Sequence, residues 1–260
     1  PSRGSVALLI TGDEEAEATD GTVAILDWME EAGERLDYCI VGEPTSQEAL
    51  GDTIKIGRRG SITTEVTVRG TQGHVAYPAR TRNPAHALVR LLDGLASTAL
   101  DEGSAHFEPS SLQVTTIDIG NPADNVVPAK AFARFNIRFN DGHSADSLGA
   151  MIRERAAAVA AAFEVTIGLR FRSSADSFVT EPGPFVETVT QTIARQTNRA
   201  PELSTGGGTS DARFIKNHCP VVEVGLLGKA AHGVDERVAV EDIHRLADLY
   251  HALIDGCLGS

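Results

Sequence analysis

The chain has 260 residues, 42% of them hydrophobic and 23% charged, with a formal net charge of -13. This is room for one large or two modest domains with a sizeable core. The acidic balance argues against nucleic-acid binding, which needs a concentrated basic face, yet leaves space for an anionic substrate met by local arginines. Three cysteines (Cys39, Cys219, Cys257), odd in number and without CxxC spacing, indicate neither a disulfide framework nor a thiolate zinc site. Reduced thiols in a cytoplasmic protein are expected, with no membrane span and no secretory signal.

In chain order, residues 6–11 (Val-Ala-Leu-Leu-Ile-Thr) read as a buried strand running into Gly12-Asp13-Glu14-Glu15. Residues 22–33 read as a helix with Ile25, Leu26, Trp28 and Met29 apolar and Gly33 near its end. Residues 36–41 form a second buried strand running into Gly42-Glu43-Pro44-Thr45. Strand, helix, strand makes a parallel sheet the default. The opening strand already carries candidate chemistry, so an N-terminal segment is expected to be missing. A short strand at 53–56 ends at Gly57-Arg58-Arg59-Gly60.

The pattern then changes. Residues 61–69 alternate apolar and polar, as a half-exposed antiparallel strand does. An amphipathic helix at 84–100, strands at 111–119 and 130–139, a Ser144-capped helix to 163 and a strand at 164–171 complete a β-α-β-β-α-β order, the split βαβ sandwich. A helix at 185–197, a strand at 221–227 and a helix at 240–258 follow. The fold class is therefore α/β: a mostly parallel-sheet domain, residues 1–59 and 173–260, interrupted by a βαββαβ (ferredoxin-like) module, residues 60–172.

Strand carboxyl ends are where ligands collect in such sheets. Carboxylates gathered there repel one another unless a cation neutralises them, which points to a metal site. Adjacent Glu14 and Glu15 diverge, so one can bind metal while the other takes a proton from bound water; an acidic helix N-terminus is the competing explanation. Glu43 ends the second strand before a proline, and a plain turn residue is its alternative. His232 follows the last strand, a natural position for an imidazole ligand. His74, leaving the module's first strand, suits an oxyanion donor. His86, His106, His143, His218, His244 and His251 have no acidic constellation and read as surface or structural. Gly206-Gly207-Gly208 lacks the lysine of a nucleotide loop but can offer N–H groups to a carboxylate. Arg58, Arg59 and Arg213 suit bidentate carboxylate recognition; surface ion pairs are the alternative.

Six segments taken together carry a family resemblance: Gly12-Asp13-Glu14-Glu15, Gly42-Glu43-Pro44-Thr45, Gly57-Arg58-Arg59-Gly60-Ser61, Gln72-Gly73-His74-Val75-Ala76-Tyr77-Pro78, Gly208-Thr209-Ser210-Asp211-Ala212-Arg213 and Ala231-His232-Gly233-Val234-Asp235-Glu236. Their order resembles that of the di-zinc aminoacylase/carboxypeptidase-like amidohydrolases. The segments Gly57-Arg58-Arg59-Gly60-Ser61 and Gly73-His74-Val75-Ala76-Tyr77-Pro78 are most similar to members that cleave a succinyl amide of diaminopimelate, and less to the acetylornithine deacetylases. The resemblance implies Glu14 as general base, Glu15 and His232 on one zinc, and Glu43 on the other, with cobalt or manganese able to substitute. It implies that His74 reaches across a homodimer formed by the inserted module, the family's lid and dimerisation domain. Arg58, Tyr77, Asn125, Arg138, Thr209 and Arg213 resemble contacts to a small dicarboxylate substrate. The family also has a His-x-Asp ligand motif and a bridging aspartate upstream of Gly-Asp-Glu-Glu. Neither occurs in residues 1–11, so impaired metal binding is expected. A non-catalytic dimerising or carboxylate-binding chain, or a related N-acyl-amino-acid deacylase, are the other readings.

Overall fold

A computed structural model describes residues 4–15 and 18–259. In chain order its elements are α1 (Thr22–Ala32), β1 (Cys39–Val41), β2 (Thr53–Lys55), β3 (Gly57–Arg58), β4 (Gly60–Arg69), β5 (Gly73–His74), α2 (Pro84–Ala96), β6 (Ser111–Asp118), β7 (Val126–Val127) and β8 (Lys130–Phe139). Then come α3 (Ala145–Phe163), β9 (Thr166–Ala175), β10 (Phe178–Val179), α4 (Pro184–Thr197), β11 (Glu202–Ser204), α5 (Ala212–Ile215), β12 (Val221–Glu223) and α6 (Val240–Leu258). The chain divides into two compact units, Pro1–Arg58 with Phe178–Ser260, and Arg59–Ser177.

In the first unit a four-stranded sheet has the order β1-β12-β2-β11. β1 and β12 are parallel, as are β2 and β11, while β12 meets β2 antiparallel through one pairing, Glu223 with Lys55. The sheet is thus mixed. Ile54, Ile56, Val222 and Val224 pack with Phe185, Val186, Val189 and Ile193 of α4 and Leu249 and Leu253 of α6. A second cluster joins Leu26 of α1 to Ala212, Ile215, Cys219 and Val221. α1 stops where Gly33 turns left-handed at φ 74, a conformation that glycine takes without a Cβ penalty.

Residues 6–11 depart from the expectation of a buried strand. They have no regular structure, and Val6, Leu8 and Ile10 are 54%, 83% and 84% exposed. An apolar run becomes a strand only when a neighbour accepts its hydrogen bonds and covers its side chains, and among the described residues β1 pairs with β12 alone. The last strand is shorter than the expected 221–227: after Glu223 the chain keeps one isolated bridge, Ser46 with Leu227. The cysteines are free. Burial pushes the Cys39 thiol up to about 11 and that of Cys219 to about 12.

In the second unit an antiparallel sheet of order β6-β8-β4-β9 carries α2 and α3 on one face. Alternation in β4 and β8 sends Ile62, Val66, Val68, Phe135, Ile137 and Phe139 inward against Leu88, Leu91, Leu95, Leu148 and Ile152. Asn83 caps α2 by accepting from the Ala85 N–H at 2.9 Å, and Ser144 forms a reciprocal capping box with Ser147 on α3. β9 runs on to Ala175, beyond the expected 171, and α2 ends at Ala96, short of 100. His143 has the acidic partner that its sequence context hides: its Nε2 lies 3.1 Å from Asp101 Oδ2. Among the described residues no helix is long and apolar enough to cross a membrane.

Candidate functional site

The parallel strands β1 and β12 end side by side, with Val41 opposite Glu223. Gly225 lies so close to the departing chain that a Cβ there would sit 2.1 Å from the Glu43 carbonyl oxygen. Only glycine permits that approach. The crossing is fixed by the Gly225 N–H donating to Thr45 Oγ1 at 3.1 Å and Ser46 Oγ donating to the Gly225 carbonyl at 2.7 Å.

Four carboxylates share this end of the sheet. Burial raises the Glu43 carboxyl to about 7, helped by the negative charges of Glu223, Glu14 and Asp211 and opposed by Arg58. Burial also raises Glu14, with Glu15, Asp211 and Glu223 adding to the effect and Arg213 opposing it. Glu223 is 1% exposed and Asp211 5%. Thr22 Oγ1 donates to Asp211 Oδ2 at 2.6 Å, while Asp211 Oδ1 is buried without a partner. Glu223 receives a forked pair from Arg58, which is itself 8% exposed, and a hydrogen bond from Ser210 Oγ. Asp13 serves the loop instead: it accepts the backbone N–H groups of Thr19 and Asp20 at 2.6 and 2.9 Å, which hold its carboxyl below the usual range.

Glu15 and His232 meet, with Oε1 and Nε2 3.8 Å apart, on exposed side chains. His232 adopts φ 59, a left-handed position, and its N–H donates to Glu236 Oε2 at 3.3 Å. The carboxylate–imidazole pair suits zinc in kind. It falls short in number, because a zinc site takes three or four protein ligands. Among the described residues no group of three or more His, Cys, Asp or Glu side chains could hold a metal ion, so Glu43 does not complete a set with Glu15 and His232. The described residues therefore do not by themselves make a metal site.

Of the substrate candidates in this unit, Arg58 is engaged by Glu223, Thr209 is half-buried, and Arg213 lies over the Phe214 ring at 4.5 Å with its Nε buried and unpartnered. In the second unit His74 pairs across β5/β7 with Val126, and the Val75 N–H donates to the Asn125 carbonyl at 3.0 Å, which brings the His74 and Asn125 segments together. The His74 Nδ1 accepts the Ala76 N–H at 3.1 Å. An accepting Nδ1 leaves the proton of a neutral imidazole on Nε2. Tyr77 is 5.8 Å from the His74 ring and lies under Arg80. Burial and the Arg59 charge depress Arg138, whose Nη1 is buried without a partner. Cavities of about 470 Å³ beside Tyr38, Phe185 and Cys219, and of about 320 Å³ between α3 and β9, are lined by none of these residues.

Sequence reasoning passed over Glu223 and Thr22. A glutamate inside the run Val221-Val222-Glu223-Val224 was the available signal, since an acid among strand valines needs a buried partner.

Residues 56–164 match the family model described as a peptidase dimerisation domain. Over 98% of its length the chain is 54% identical to a succinyl-diaminopimelate desuccinylase of Paracoccus denitrificans, and over 97% it is 56% identical to one of Rhodospirillum rubrum. It spans 67% and 64% of those relatives, about two thirds of their length. Among solved structures, aminopeptidase PepT of Bacillus cereus superposes with a TM-score of 0.72 at 18% identity, covering 86% of this chain and 58% of that one. The Bacillus subtilis YXEP protein, titled a dinuclear metal binding peptidase of the M20 family, gives 0.68 at 16% identity, covering 96% and 64%. At such identities the likeness is one of fold.

Proposed function

We propose a function from one premise: the chain belongs to the succinyl-diaminopimelate desuccinylase family of amide hydrolases. The protein removes succinate from N-succinyl-L,L-diaminopimelate, a bacterial, cytoplasmic step serving diaminopimelate and lysine synthesis. What carries this reading is the 54–56% identity to desuccinylases over nearly the whole chain, with Glu14, in its motif Gly12-Asp13-Glu14-Glu15, as the base: burial and three acidic neighbours raise its carboxyl and Arg213 opposes them. A carboxylate of raised basicity beside a cation is suited to taking a proton from water and returning it to a leaving amine. His74, with its proton on Nε2, is a hydrogen-bond donor for the tetrahedral oxyanion. Arg58, Arg138 and Arg213, with Tyr77, Asn125 and Thr209, are the groups we assign to a dicarboxylate substrate. The family's metal we take to be zinc; Glu15 and His232 are the pair of that donor kind which this chain brings together, and two donors do not hold the ion by themselves. The match of 56–164 to a dimerisation domain supports a homodimer through the second unit.

The test uses the chain with added zinc, alone and joined to the upstream segment of a relative, on succinyl, acetyl and peptide substrates. The succinyl amide should be cleaved best, and Glu14→Gln should lose roughly 10²–10⁴-fold in rate. Absence of turnover in both forms, or a Glu14→Gln variant equal to the parent, refutes the mechanism. The two-donor count favours a second reading for the chain alone, a dimerising carboxylate binder. Two zinc ions per purified chain would contradict it.

A further inference from the structure

Glu223 is buried to 1% exposure at the tip of a central strand, and the hydrolytic reading gives it no task. Its partner explains what it does. A guanidinium offers two forks, a side-on one made by Nε–H and one Nη–H, and an end-on one made by the two Nη groups. Glu223 fills the side-on fork of Arg58: Nε donates to Oε1 at 3.0 Å and Nη2 donates to Oε2. Ser210 Oγ donates to the same Oε1 and fixes the carboxylate.

The end-on fork is less engaged. Among the described residues the hydrogen bond it makes beyond Glu223 is Nη1 to the Gly206 carbonyl at 3.3 Å, a long bond. Gly207 lies against that same Nη1: a Cβ on it would stand 2.6 Å away, and its φ of +105 is one that L side chains rarely adopt. The loop therefore passes the fork without placing a side chain over it. A buried ion pair is a poor route to stability, because desolvation offsets most of the attraction. That leaves orientation as the reason to build one here.

We propose that Glu223 is a positioning residue: by holding the side-on fork of Arg58 it presents the end-on fork, beside Gly207, to a carboxylate terminus of the ligand. The inference rests on the reading of Arg58 as a carboxylate contact and deepens it, by naming the residue that aims it.

The experiment is calorimetric titration of the whole chain with succinate in the presence of a chelator. Glu223→Gln keeps the size of the side chain but offers one acceptor and opposes an N–H to an N–H, so the fork breaks. Succinate affinity should fall about tenfold or more, the scale of a lost charge-assisted bond. Glu223→Asp keeps the charge and should recover part of that loss. Gly207→Ala leaves Glu223 untouched, crowds Nη1, and should weaken succinate similarly. Unchanged or tighter binding in Glu223→Gln would overturn the proposal, since a glutamate that merely masked Arg58 would release it. No succinate binding by the parent would overturn it equally. Should Glu223→Gln fail to fold, Gly207→Ala decides the matter, and parental affinity there counts against the proposal. Turnover tests the desuccinylase reading separately. Weakened succinate binding without turnover would sink that reading and keep the positioning role, and turnover with a silent Glu223→Gln would do the reverse.

Discussion

Replacing Thr22 with valine isolates one hydrogen bond that ties α1 to the loop before α5. Thr22 is 6% exposed and donates at 2.6 Å to Asp211, itself 5% exposed. Valine has nearly the same shape, so no cavity opens. The loss falls on the carboxylate, whose Oδ1 is already buried without a partner. A hydrogen bond to a charged group is worth about 1.5–3 kcal/mol. At roughly 2–4 °C per kcal/mol for a unit of this size, the midpoint should drop by roughly 3–12 °C. Trp28 is the single tryptophan and lies on the same helix, so its fluorescence during urea or thermal unfolding follows this unit separately from the other. Thr22→Ser keeps the hydroxyl and loses one methyl, at a cost of about 0.8 kcal/mol. A Thr22→Val protein within about 0.5 kcal/mol of the parent, the range of an ordinary surface change, or a serine variant as damaged as the valine one, would show that the bond does not hold the loop.

The Glu43 carboxyl, raised from 4.5 to about 7, binds its proton more tightly folded than unfolded, so stability is fully present below pH 4.5 and declines as pH rises toward 7. Because the group is only half-buried, the decline should be about 1–2 kcal/mol after screening; metal-free thermal melts between pH 5 and 8 measure it, and Glu43→Gln should flatten the curve. Asp101 has the opposite sign. Although burial works to raise it, hydrogen bonds from Ser110, Gly103 and Asn140 hold it down to about 2, so its contribution, present above pH 3.8, vanishes as pH falls toward 2. Acid titration of Asp101→Asn followed by circular dichroism should show a shallower loss than the parent. Gly225→Ala puts a methyl into the Glu43 carbonyl and should cost about 1–3 kcal/mol in urea denaturation, the range for overpacking; a neutral result would mean the two loops move apart freely.

Local chemistry in the sequence settled most of the elements. The alternation of residues 61–69, the leucine spacing of α2, and the serine cap of α3 predict their structures because each signal is read within one turn or one pleat. Of the motif residues, Glu43 follows β1 closely and His74 ends β5, whereas Glu14 and His232 lie in turns away from any strand end. Residues 6–11 show the limit of that reasoning. Their apolar run specifies a surface to be covered, but whether anything covers it is a property of the neighbours, and Leu8 and Ile10 remain exposed. Only the tertiary structure decided that Arg58 would spend one fork on Glu223, 165 residues away, and that Asp211 would be tied to Thr22 across 189. It also decided that Glu15 would meet His232, 217 residues along the chain. Charge and burial act through distance in space, and spacing along the chain does not report it.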